Sequence, residues 1–209
     1  MYDLKIYFAS SNDHKRQEMM RLLNGVNITL PKEEAIAFDP VEDGNSFIEN
    51  ALIKAKDLYK KVNAPVLADD SGLVVDALDG RPGIHTSRYG DVDGKKLIQS
   101  EKNAKLLGEM EGKENRRARF VCALVLMVSN EKIYIIQETV EGYIAHSIRG
   151  EHGFGYDPLF LVEETGKSAA ELSDSEKDKY SHRGRAVRKM NLIIEKLKEE
   201  LKWREVNKS

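Results

Sequence analysis

The sequence predicts a mixed α/β fold, and three stretches carry that prediction. Leu4-Lys5-Ile6-Tyr7-Phe8-Ala9 is an apolar strand followed at once by a helical pattern. Phe120 to Val128 (FVCALVLMV) is apolar on both alternating faces, as expected of a central strand covered on both sides. Ser129-Asn130-Glu131 then turns the chain, and Lys132 to Glu141 returns in strand-like order. The resulting long hairpin is the spine of the sheet. Helical patterns ahead of a hairpin argue for a long mixed β-sheet flanked by helices, not for a pure doubly wound sheet.

In chain order, Ser10-Ser11-Asn12 offers helix N-caps, and Asp13 to Leu23 places Met19, Met20, Leu22 and Leu23 at helical spacing. Strand, capped turn and helix together present backbone N–H groups to an anion. Lys15 lies in the first helical turn, where a cation opposes the helix dipole, and a bound anion would resolve that conflict. The glycines of a P-loop are absent, and a capped helix with a solvated lysine accounts for the stretch equally well. A weaker strand is expected over Ala35 to Phe38. Ser46 and Glu49 form a capping-box pair for a helix whose apolar face is Phe47, Ala51, Ala55, Leu58 or Tyr59, and Val62. Asn50 and Lys54 fall off that stripe, facing either solvent or a cleft, while Glu42, in the preceding loop, is a better candidate ligand than the capping Glu49. Gly80 to Ile84 is a tight bend, a helix follows from about Lys95 to Met110, and Lys113 to Arg117 is a charged connector. The last helix is expected from about Ala186 to Lys202, with Val187, Met190, Ile194, Leu197 and Leu201 as core.

With 209 residues, the chain forms one large domain or two lobes sharing a core, the core covering about residues 4–202. Apolar content of 41% beside 33% charged residues is globular in character. Lys plus Arg (33) nearly balances Asp plus Glu (35), which argues against bulk binding to nucleic acid or to a membrane surface. One cysteine, Cys122, excludes an intrachain disulfide. No segment reads as a signal peptide or a membrane span, so a cytoplasmic location is expected.

The chemistry concentrates at Val66-Leu67-Ala68-Asp69-Asp70-Ser71-Gly72-Leu73. Two carboxylates follow a strand end, and Ser-Gly is expected to break the strand. Desolvated like charges repel unless a cation or a shared proton offsets them. Strand neighbours point to opposite faces, so only one of the pair can aim straight at a given ligand. Taken alone, D-D-S-G reads more readily as an ordinary turn rich in Asp and Gly. Gly150 to Phe160 contains Gly153-Phe154-Gly155-Tyr156-Asp157-Pro158, where glycines on both sides of Phe154 would leave an aromatic face bare for a base. Five scattered histidines beside one cysteine give no zinc spacing, and a G-x-S-x-G elbow is absent. The acids, the anion-friendly helix starts and the aromatic between glycines describe a site for a magnesium-bound phosphorylated ligand with a stackable ring.

Ser10-x-Asn12-x-x-Lys15, Glu42-Asp43-Gly44-x-Ser46-Phe47-x-Glu49-Asn50-Ala51, Ala68-Asp69-Asp70-Ser71-Gly72-Leu73, Gly153-Phe154-Gly155-Tyr156-Asp157-Pro158 and Ser181-His182-Arg183-Gly184 occur in that order. In this the chain resembles the inosine triphosphate pyrophosphatase (Ham1-like, dITP/XTP pyrophosphatase) family, from Lys5 to about Ile194. Asn45-Ser46 stands where the family often has a threonine before the phenylalanine. The resemblance implies a two-lobed α/β fold with a nucleotide cleft between the lobes, and a homodimer. It implies Mg²⁺-dependent cleavage of non-canonical purine triphosphates (ITP, dITP, XTP) to the monophosphate and pyrophosphate. It assigns Asp70 as catalytic base and, with Glu42, as metal ligand, with Asp69 ranked lower. Ser10, Ser11, Asn12, Asp13, His14 and Lys15 would hold the triphosphate and Ser71 would touch the ligand. Phe154, Gly155, Tyr156, Asp157, Lys177, His182 and Arg183 would form the base and sugar pocket. The alternatives are a Maf-type pyrophosphatase for modified or pyrimidine triphosphates and a non-catalytic nucleotide-binding module.

Overall fold

The computed structural model describes residues 4–92 and 95–206. Six strands hydrogen-bond in the order β2-β1-β3-β4-β5-β6. They are β1 (Lys5–Ala9), β2 (Asn27–Thr29), β3 (Val66–Val75), β4 (Arg117–Met127), β5 (Ile133–Ile144) and β6 (Phe160–Val162). β1 runs parallel to both β2 and β3, whereas β5 and β6 are antiparallel. The sheet is therefore mixed, as the hairpin indicates. The helices are α1 (Asp13–Leu22), α2 (Phe47–Val62), α3 (Gln99–Glu109), α4 (Asp174–Tyr180) and α5 (His182–Val206). No helix among the described residues is long and apolar enough to cross a membrane.

Two compact units divide the chain. The first takes the chain up to Asp70, Ala123–Gln137 and everything from Ala186 onward; the second takes Ser71–Cys122 and Glu138–Arg185. In the first unit, Tyr7, Phe8 and Ala9 register against Val66, Leu67 and Ala68. Ile6, Phe8, Met19, Leu23, Leu58, Val66 and Leu67 are all at most 1% exposed. Each such side chain contributes about 1.5–3 kcal/mol on leaving water. The hydroxyl of Ser46 accepts the Glu49 amide and so caps α2. The Glu49 carboxylate returns to the amide of Asn45, not to that of Ser46 as a capping box requires. Glu49 is thus spent on the helix start.

In the second unit, Leu73, Val75, Tyr89, Leu106, Met110, Phe120, Ile144, Tyr156, Leu159 and Phe160 belong to one buried cluster. Gly142 is obligatory where β5 meets β6, since a Cβ there would stand 2.1 Å from the carbonyl oxygen of Leu161. At the expected bend, Arg81–Pro82 is a cis peptide between Gly80 and Gly83, both with positive φ.

Four expectations are corrected. Ala35 to Phe38 is not a strand: Ala35 is left-handed (φ 54°) after a short 3₁₀ turn at Pro31–Glu34, and the edge strand is the three-residue β2. Ser71-Gly72 does not break β3, which runs on to Val75 because Leu73 and Val75 are fully buried. The helix expected from Lys95 begins at Gln99, while Lys95 instead bridges to Val92. The last helix begins at His182, four residues earlier than expected, which puts His182 and Arg183 on its first turn.

Candidate active site

In the first unit, the candidate residues gather where β1 ends, where α2 begins and at the centre of β3. Ser10 Oγ accepts the Asn12 amide at 3.2 Å, and Asn12 Oδ1 caps α1 by accepting the amides of His14 and Lys15 at 3.0 and 3.1 Å. Two of the amides expected to face a phosphate are therefore engaged by the cap. Lys15 Nζ lies 2.7 Å from Asp69 Oδ1, whose side chain is fully buried. The Asp69 carboxylate thus resolves the conflict between Lys15 and the helix dipole without a bound ligand.

Asp70, the next residue along an extended strand, has a different partner, as alternation requires. Its Oδ1 lies 2.8 Å from Lys54 Nζ, and the same ammonium lies 3.2 Å from Glu42 Oε2. Two carboxylates therefore share one lysine. Burial pushes the Asp70 carboxyl above its ordinary value, although Lys54 and Lys15 pull the other way. Burial also opposes charge on Lys54, but Asp70 and Glu42 outweigh it and hold the lysine above its ordinary value. The second oxygen of Asp70, Oδ2, is buried and has no hydrogen-bond partner among the described residues. A buried, unmated carboxylate oxygen is costly and is the kind of group a donor or a cation satisfies.

Glu42 and Asp70 therefore fit a hard divalent cation in ligand type. No set of three or more His, Cys, Asp or Glu side chains suited to a metal occurs among the described residues. Two carboxylates suit Mg²⁺, which keeps several waters and takes phosphate oxygens in place of an all-protein cage.

Lys54 and Asn50 are the residues that the stripe on α2 missed. Both are buried, 6% and 0% exposed, on the face that carries Phe47, Ala51, Ala55 and Leu58. Their signal was positional: 47, 50, 51, 54, 55 and 58 follow one helical face, and two polar residues on it need polar partners.

The second unit holds the other group. Arg183, 1% exposed, donates from Nη2 to Ser71 Oγ at 2.8 Å. Asp157 Oδ2 accepts both the Phe154 amide (2.7 Å) and Lys177 Nζ (2.6 Å). Gly153 has φ +76°, and a Cβ there would stand 2.2 Å from Asp157 Oδ2, so only glycine permits this turn. Two cations approach the ring of Phe154. Lys177 Nζ lies 4.8 Å and the Arg183 guanidinium carbon 5.9 Å from its centroid, within cation–π range. His182 stacks on Phe120 with centroids 4.9 Å apart. Tyr156 is a core residue, 1% exposed, and burial pushes its hydroxyl well above the ordinary value. Its place in the base pocket is therefore not that of an open side chain.

A sequence model of the Ham1 family matches residues 6–192. A dITP/XTP pyrophosphatase of Treponema denticola is 49% identical over 91% of this chain and 98% of its own length. A dITP/XTP pyrophosphatase of Bacillus subtilis is 41% identical over 90% and 95%. Among solved structures, a HAM1 protein from Coxiella burnetii superposes with a TM-score of 0.83 at 38% identity, covering 92% of this chain and 99% of that one.

Proposed function

The chain belongs to the Ham1 family, and we propose from this premise that it hydrolyses non-canonical purine nucleoside triphosphates (dITP, XTP and ITP) to the nucleoside monophosphate and pyrophosphate. The relatives that support this carry the name dITP/XTP pyrophosphatase, and the match runs nearly end to end in both chains. Those names also speak against a Maf-type specificity for pyrimidine triphosphates and against a silent binding module.

The observation that carries the mechanism is the Asp70 carboxylate: buried, tied by one oxygen to Lys54, with the other oxygen unmated. Such a group accepts a proton from, or orients, a water directed at the α-phosphorus. The α–β anhydride bond then breaks as the new bond to water oxygen forms, and the leaving group departs as pyrophosphate. Glu42 and Asp70 would hold Mg²⁺, which would supply positive charge against the charge gathering on the leaving pyrophosphate. Lys15 and Lys54 are the cations of this unit that act on the same charge. Ser10 to Lys15 would bind the triphosphate through backbone amides, the Ser and Asn side chains and the Lys15 ammonium.

For the base, Arg183 and His182 supply donors that favour a 6-oxo group and leave a 6-amino group facing like donors. Sites of that kind discriminate by about 10⁴-fold. Phe154, Gly155, Asp157 and Lys177 complete the base and sugar pocket. We further propose that the enzyme acts as a homodimer in the cytoplasm.

Product analysis with Mg²⁺ on ITP, XTP, dITP, GTP, ATP and a pyrimidine triphosphate tests the reading. Monophosphate plus pyrophosphate from the first three, with little from ATP, is expected. Diphosphate plus orthophosphate would mean that the wrong anhydride is cut and would overturn the assignment.

A further inference from the structure

We infer that Asn50 is a positioning residue: its side-chain carbonyl fixes the loop that presents Glu42, and through that loop sets the carboxylate pair assigned above to a divalent cation. The inference rests on the functional reading of that site. Asn50 is completely buried on α2, and its Oδ1 accepts the amide of Gly44 at 2.9 Å. Because Gly44 contributes an N–H, the orientation of the Asn50 amide is set by the network itself. The other end of the amide, Nδ2, is buried with no hydrogen-bond partner among the described residues.

An unmated buried donor costs at least as much as one neutral hydrogen bond returns. On stability alone, an apolar side chain of the same shape would serve position 50 as well or better. What asparagine adds is the place of the loop. Gly44 lies hard against the helix: a Cβ there would stand 2.7 Å from Glu49 Cβ and 2.8 Å from Asn50 Oδ1. Glu42 stands two residues upstream, and its carboxylate meets Lys54, which lies one helical turn beyond Asn50. The segment is therefore held at its backbone by Asn50 and at its side chain by Lys54. The ties of Asn45 to Glu49 and of Glu49 to Ser46 are exposed and lie downstream of Gly44.

The test compares Asn50→Leu with the wild-type protein by Mn²⁺ binding to the substrate-free enzyme, by thermal unfolding, and by the Mg²⁺ dependence of turnover. We expect Mn²⁺ affinity and the Mg²⁺ half-activation point to weaken together by about ten-fold, the lower end of what residues behind metal ligands show. The unfolding temperature should be unchanged or raised, and KM for ITP at saturating Mg²⁺ should stay put. Asn50→Asp, which keeps an acceptor for Gly44, should recover the metal affinity. Adding Glu42→Gln to Asn50→Leu should weaken Mn²⁺ binding by less than Glu42→Gln does alone. An Asn50→Leu protein that folds and binds Mn²⁺ like the wild type overturns the inference. Should that variant not fold, Gly44→Ala displaces the same contact from the other side, and unaltered Mn²⁺ affinity there overturns it equally. Wild-type enzyme that turns over without any divalent ion would instead defeat the metal reading on which this rests.

Discussion

Replacing Lys54 by methionine tests the buried ion pair at the centre of the first unit. The side chains of Lys54 and Asp70 are 7% and 9% exposed, and their charged atoms are 2.8 Å apart. At an effective dielectric of about 20, that separation corresponds to roughly 6 kcal/mol of attraction before desolvation is subtracted. Losing one partner of a buried pair costs about 3–5 kcal/mol. The Asp70 carboxyl has an escape that sets a ceiling. If it stays protonated in the folded variant, the cost is that of neutralising an acid of ordinary value near 3.9 at pH 7, about 4 kcal/mol.

That escape also gives the experiment its signature. A folded-state value raised above the unfolded one means a penalty that is absent below the unfolded value and grows as pH rises from there, by about 1.4 kcal/mol per unit. With a urea slope of about 2 kcal/mol/M, the midpoint of Lys54→Met should fall by roughly 2 M at pH 7 and by less than about 1 M at pH 5. Combining Lys54→Met with Asp70→Asn should return about 2–3 kcal/mol, since no unpaired charge is then left buried. Additivity of the two substitutions within about 0.5 kcal/mol, or a Lys54→Met penalty equal at both pH values, would refute the coupling.

Four further outcomes are expected. Asp70→Asn should keep a cooperative fold, because its carboxamide oxygen still accepts from Lys54, and should lower kcat on ITP by about 10³-fold, in the range that general bases contribute; full activity would remove Asp70 from the chemistry. Arg183→Lys preserves charge and much of the volume of a 1% exposed side chain but loses the fork, so the ratio of kcat/KM for ITP over ATP should fall by at least about ten-fold; an unchanged ratio would deny Arg183 a role in base reading. Gly153→Ala meets Asp157 Oδ2 at 2.2 Å, whereas Gly155→Ala, at φ +66°, meets nothing within 4 Å; scanning calorimetry should show the first losing clearly more Tm than the second, whose cost is only the left-handed backbone, about 1–2 kcal/mol. Tyr89 is pushed up to about 12 by burial and by its hydrogen bond to Glu109; the fold favours its protonated form, so its share of stability is complete below pH 10 and is lost as pH rises through about 12, and Tyr89→Phe should delete one late-ionising component from the 295 nm titration.

Much of the frame is legible from local pattern. The run from Phe120 to Val128 is apolar on both faces, and it is a buried central strand for that reason. Asn12 and Ser46 cap helices as their side chains dictate. β2 was illegible because three residues at a sheet edge carry too little periodicity, and the strand assigned to Ala35–Phe38 yielded to a left-handed turn at Ala35. The continuation of β3 through Ser71-Gly72 is not legible locally, because the burial of Leu73 and Val75 overrides the turn preference of Ser-Gly.

Residue order alone sets the mixed α/β class, the caps, and through five ordered motifs the likeness to one family. All of these live in residue order and short-range spacing. Only the tertiary structure decided which basic group meets which acid. Strand alternation dictates that Asp69 and Asp70 face apart, but not what covers either face. It is the packing of α1 and α2 that brings Lys15 to one and Lys54 to the other. The same packing turned Asn50 and Lys54 from ambiguous positions into buried ones, because a helix face is polar or apolar only with respect to the surface laid against it.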